Sequence, residues 1–68
     1  MTNLEFQQWA ERMGRLRGKQ RLSERDISEV LGWARESVSQ RLAGTREVPK
    51  YIDLACRMAE IMERAKAE

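Results

Sequence analysis

The 68-residue chain has no histidine, one cysteine, one proline, and only one phenylalanine, one tyrosine and two tryptophans. Without histidine it lacks the usual general base near neutral pH and the commonest transition-metal ligand. A lone Cys56 excludes an internal disulfide and a zinc site built on several thiolates. No apolar run nears the roughly 20 residues of a transmembrane helix. Met1 to Trp9 carries Glu5 where a secretory leader would be continuously apolar. No repeat, low-complexity segment or Pro/Gly/Ser-rich linker divides the chain. The carboxylates are scattered, and Ser23, Ser28, Ser37 and Ser39 have no base beside them in any recognisable arrangement. These absences predict one small cytoplasmic domain over residues 1–68. An enzyme is not expected, nor a cofactor, a metal, a membrane partner or a small-molecule ligand.

What is present is helical. Hydrophobic residues make up 41% of the chain and charged residues 35%, with thirteen Lys/Arg against eleven Asp/Glu and a formal net charge of +2. That balance is a mild hint of a polyanionic partner. Phe6, Trp9, Ala10, Met13 and Leu16 follow helical spacing, and Thr2 with Glu5 has capping-box spacing, so a first helix is expected over about 3–17. Gly14 within it points to close packing or a frayed end. Ser23 suits an N-cap for a second helix that Gly32 ends. A third helix is expected over 35–43, stopped by Gly44, and a fourth over 49–66 with Pro49 as its first residue. Tyr51, Leu54, Ala55, Met58, Ile61, Met62 and Ala65 give that fourth helix a broad apolar face. Asp53/Arg57 and Glu60/Arg64 are spaced as ion pairs on its opposite side. Trp9 and Trp33 lie on apolar stripes and read as core, and Cys56 reads as a small, partly buried filler.

The segment Leu22 to Gly44, LSERDISEVLGWARESVSQRLAG, places two short helices across a tight turn at Gly32. Ser28, four residues before that glycine, is small enough for the helices to cross closely. Ile27, Leu31, Trp33 and Val38 can bury the inside of the corner. In these positions, in the Leu22-Ser23 lead-in, in the Gly32-to-Gly44 spacing and in Pro49, the chain resembles the Cro/C1-type (XRE-like) helix-turn-helix family of bacterial and phage regulators. The resemblance covers about residues 6–58. It implies an all-α, lambda-repressor-like domain of four to five helices with a longer C-terminal helix and a helix-turn-helix core at 23–43. The sequence departs from the family pattern at three places. Ala34 stands where Ser or Thr usually caps the third helix. Arg41 stands where an apolar residue is common, with Leu42 expected to take over its packing. Ser28 replaces the commoner Ala, and its hydroxyl is expected to bond a backbone carbonyl one turn earlier. The Pro49-x-Tyr51 opening is also similar to compact phage regulators of the anti-CRISPR-associated kind.

The resemblance implies double-stranded DNA as partner, read by the third helix. Arg35, Glu36, Ser39 and Gln40 would face base edges. Arginine is suited to guanine O6/N7, glutamine to adenine through both its amide atoms, and glutamate to cytosine N4. Ser23, Arg25, Ser37, Thr45, Arg46 and Lys50 would hold phosphates. Arg12, Arg15, Arg17, Lys19 and Arg21 form a run of five cations with no acid before Glu24, open to two readings: a solvated face or an attractor of phosphate. Met58, Ile61, Met62 and Ala65 would be exposed in a monomer and are expected to form a homodimer interface, which would pair two reading heads for a palindrome. The resulting expectation is a homodimeric repressor in a phage or mobile-element circuit, regulated by its own concentration. The alternative is a protein-interaction module, an adaptor or antitoxin-like subunit, that uses the same corner as scaffold.

Overall fold

Local capping signals start α1 and α2, and left-handed glycines stop α2 and α3. The computed structural model describes residues 1–67, and within them the chain is all-α: α1 Asn3–Leu16, α2 Glu24–Leu31, α3 Arg35–Ala43 and α4 Ile52–Ala67. At the start of α1 the Thr2 hydroxyl accepts from Glu5 N at 3.1 Å while the Glu5 carboxylate accepts from Thr2 N at 2.7 Å, closing the capping box. That bond from the Thr2 amide holds the Glu5 carboxyl below its ordinary range. Ser23 accepts from Asp26 N at 3.1 Å to open α2. Gly32 and Gly44 end α2 and α3 with φ of 72° and 83°, a left-handed conformation that costs glycine little. No side chain caps α3 at Ala34.

The core is a single cluster fed by every helix. Phe6, Trp9, Ala10 and Met13 come from α1, Ile27 from α2, Val38 and Leu42 from α3, and Ile52 and Cys56 from α4, with Leu22 and Val48 added by the connections. Phe6 stacks on Trp9 at 5.7 Å between ring centroids and meets Trp33 at 5.9 Å. Trp33 and Leu31 are half-buried against the cluster, so the corner closes as expected. Gly14 is closely packed and not frayed. A β-carbon there would sit 2.2 Å from Arg21 Cα, because the returning chain lies directly on α1 and donates from Leu22 N to Ala10 O at 3.0 Å.

Three expectations need correction. The fourth helix begins at Ile52, not at Pro49: residues 49–51 form a turn in which Ile52 N and Asp53 N donate to Pro49 O and Lys50 O at 3.2 Å. The broad apolar face of α4 is exposed along its whole length: Met58, Ile61, Met62 and Ala65 as expected, but Tyr51, Leu54 and Ala55 as well, so none of it enters the core. The residues that face the core are Ile52, Cys56, Ala59 and Glu63, a narrow stripe with helical spacing. Trp9 fixes this rotation by donating from Nε1 to Cys56 O at 2.9 Å inside the core. Burial pushes the Cys56 thiol up to about 12, so it stays protonated at neutral pH. Finally, Ser28 donates forward to Trp33 O across the turn instead of back along its own helix. That bond ties the end of α2 to the entry of α3.

Ion pairs finish the α1–α4 side. Arg12 grips Glu60 with two bonds of 3.0 and 3.2 Å, and Arg17 reaches Glu63 at 2.7 Å. Arg64 also reaches Glu60 at 3.0 Å, as its spacing predicts, whereas Asp53 pairs with the N-terminal amine at 3.0 Å instead of with Arg57. The Arg12 bond, against the cost of partial burial and aided by Arg64, holds the Glu60 carboxyl below its ordinary 4.5. Its stabilising contribution is therefore present above that value and is lost as pH falls through the lowered one. No helix among the described residues is long and apolar enough to cross a membrane.

Candidate functional site

The residues singled out in the sequence fall on three surfaces. Arg35 and Glu36 occupy the exposed first turn of α3, and Ser39 and Gln40 are half-buried further along it. Thr45 and Arg46 lie exposed in the following loop, with Lys50 at the turn before α4. Ser23 and Arg25 stand at the start of α2, where no hydrogen bond or ion pair links their side chains to α3. The Ser23 oxygen caps α2, and Arg25 pairs with Glu29 at 3.5 Å. Met58, Ile61, Met62 and Ala65 lie exposed on α4, away from both groups in sequence.

The structure binds part of this set into one network. Thr45 donates from N and Oγ1 to Gln40 O at 3.0 and 3.1 Å, which folds the loop back onto the end of α3. Arg46 Nη1 donates to Gln40 Oε1 at 3.3 Å and to Ser37 Oγ at 3.5 Å. Arg41 lies beneath them, only 7% exposed, with its guanidinium 4.0 Å from the Trp33 ring centroid. It donates to Glu47 O at 3.2 Å and to the Ser37 hydroxyl. Burial and the like charge of Arg46 both lower the Arg41 pKa. With Leu42 buried as expected, the polar residue at 41 stacks on an aromatic face instead of entering the apolar core.

Two residues that sequence reasoning passed over brace this network from behind. Asn3 Nδ2 donates to both Arg41 O and Arg46 O, at 2.9 and 2.8 Å, and Gln7 Nε2 donates to Leu42 O at 2.6 Å. The last carbonyls of a helix have no partner inside it, and α1 supplies partners for two of them. The signal available was the i, i+4 spacing of two amides flanking Phe6, though nothing local says what they reach.

Charge distinguishes this surface from α1 and its following loop, although Arg21, Arg57 and Lys66 also have no ion pair among the described residues and Glu36 and Glu47 lie among the cations around α3. Of the basic run, Arg12, Arg15, Arg17 and Lys19 each hold an acid: Glu60, Glu11, Glu63 and Asp26. Lys19 sits 3.0 Å from Asp26 and, as the largest influence, keeps that carboxyl below its ordinary range. Among the described residues no ion pair engages Arg35, Arg41, Arg46 or Lys50. Comparison with family models, with curated proteins and with solved structures finds no match.

Proposed function

We propose that this chain is a sequence-specific DNA-binding regulator that docks α3 into the major groove, with α2 and α3 acting as a helix-turn-helix of the Cro/C1-type. The observation that carries the reading is the distribution of unpaired charge. The cations of α1 and its following loop are largely occupied by the protein's own acids, whereas Arg35, Arg46 and Lys50 are exposed without an ion pair around α3. A surface that keeps arginines unneutralised beside hydrogen-bonding side chains suits a phosphate-flanked groove. Arg35, Glu36, Ser39 and Gln40 would address bases, and Ser23, Thr45, Arg46 and Lys50 the backbone, joined by Arg25 once it exchanges Glu29 for a phosphate. Ser37 joins them through Arg46. The uncapped start of α3 adds backbone amides suited to an anion.

The exposed residues of α4, with Leu54 at 64%, Met58 at 55%, Ile61 at 61% and Met62 at 60% exposure, support a homodimer that sets two heads on a palindrome. A repressor controlled by its own concentration, in a phage or mobile-element circuit, is the role proposed for it. Selection from a random duplex library, followed by anisotropy of the selected duplex across a salt series, tests the proposal. A palindromic consensus with affinity well above scrambled duplex and a steep salt slope is expected. Weak, salt-sensitive binding to every duplex alike would overturn it and direct attention to protein partners.

A further inference from the structure

On the reading above, Arg46 is one phosphate contact among several, yet its hydrogen bonds point elsewhere. An arginine only donates, so the Gln40 amide must turn its oxygen, not its nitrogen, toward Arg46. The arrangement is held at the main chain as well. Thr45 bonds twice to Gln40 O, and Asn3 Nδ2 holds Arg46 O at 2.8 Å. Ser37 Oγ accepts from both Arg41 and Arg46, which limits the guanidinium of Arg46 from a second side. The Gln40 amide nitrogen has no partner among the described residues and is the group left for an outside ligand.

We infer that Arg46 is a positioning residue for Gln40, and that Gln40 reads its base pair as a hydrogen-bond donor; this rests on the DNA-binding proposal. A free glutamine pairs with adenine through both amide atoms, accepting from N6 and donating to N7. With the oxygen turned to Arg46, the donor alone is presented. Guanine suits it best, because its major-groove edge offers two acceptors, O6 and N7, and no donor, whereas thymine offers the single acceptor O4 beside a methyl group. Adenine would set its N6 amine against the amide nitrogen, and cytosine would do the same with N4. Arg46 thus determines specificity without touching the base.

The test is to repeat the duplex selection with the wild-type chain, Arg46→Ala, Gln40→Ala and the double variant, each checked for folding by circular dichroism. Arg46→Met, which keeps the aliphatic stem but has no donor, serves if alanine disturbs the loop. The wild type is expected to prefer guanine about fivefold or more at one position per half-site. Arg46→Ala should move that position toward adenine and leave the others unchanged. Gln40→Ala should lose preference at the same position, and the double variant should be no worse there than Gln40→Ala. If Arg46→Ala weakens all duplexes equally with the consensus intact, or if the wild type selects adenine at that position, the inference is overturned while the DNA-binding proposal stands. If the wild type enriches no duplex at all, the DNA-binding proposal fails and takes the inference with it.

Discussion

Two basic regions of this chain, residues 12–21 without an acid and residues 35–50 with Glu36 and Glu47 among the cations, differ in use. Residues 12–21 carry five cations in ten positions, and residues 35–50 carry Arg35, Arg41, Arg46 and Lys50 in sixteen. The denser region is the one whose charge is mostly consumed inside the molecule, by Glu60 and Glu63 of α4, Asp26 of α2 and Glu11 of α1. The sparser region keeps its charge, because the backbone carbonyls of Glu47 and Ser37 and the ring of Trp33, not carboxylates, hold Arg41, while Arg46 rests on neutral side chains. A run of like charge therefore says little about a binding face until the acids that fold against it are known. The two readings left open for the basic run divide accordingly: for Arg12, Arg15, Arg17 and Lys19 the structure gives an internal partner, and Arg21 alone has none among the described residues.

The contrast can be attacked first where the 12–21 region is packed most tightly. Helix propensity alone favours Gly14→Ala by about 1 kcal/mol. The added methyl would meet the Arg21 backbone at 2.2 Å, and backbone cannot swing aside as a flexible side chain would. Overpacking of this kind costs roughly 3 kcal/mol or more, a large part of the stability of so small a domain. Thermal unfolding followed by circular dichroism should show a lowered midpoint or no cooperative transition; an unchanged or higher midpoint would mean that the loop does not lie on α1.

A smaller effect is expected for Arg17→Ala, which leaves Glu63 nearly buried beside α1 without its cation. Stranding a buried charged group in this way costs about 1–3 kcal/mol. Denaturant unfolding should register that loss, while duplex affinity per folded molecule stays the same. A drop in affinity without a drop in stability would reverse the roles assigned to the two regions.

The mildest test compares two exposed lysines. Lys50→Ala should weaken every duplex by a similar factor and reduce the salt slope by about one, the value of one phosphate contact. Lys19→Ala removes a cation already held by Asp26 and should leave the slope where it was. Equal effects from the two would show that the acids of α2 and α4 do not shield the basic run.

Much of the backbone plan was legible because its causes are local. Thr2 with Glu5, Ser23, Gly32 and Gly44 cap or stop helices through atoms within a few residues, so spacing alone locates α1, α2 and α3. Pro49 misled for the same reason: its preference for a helix start is real, but a turn closed on its carbonyl delays α4 to Ile52. The candidate site was legible as a set of residues on and after α3. Its wiring was not, since Arg41 on Trp33, Arg46 on Gln40 and Asn3 on two distant carbonyls all depend on segments brought together by folding.

The sequence by itself determined an all-helical chain, the limits of its first three helices and the apolar positions of α1, because capping and periodicity act over one turn. Tertiary structure decided which face of α4 is buried. The longer apolar stripe lost to Ile52, Cys56 and Ala59, and in that rotation the Trp9 indole reaches Cys56 O while Arg12 and Arg17 reach Glu60 and Glu63. It also decided which cations remain available, for an ion pair between α1 and α4 joins residues more than forty positions apart, and no local pattern records that distance.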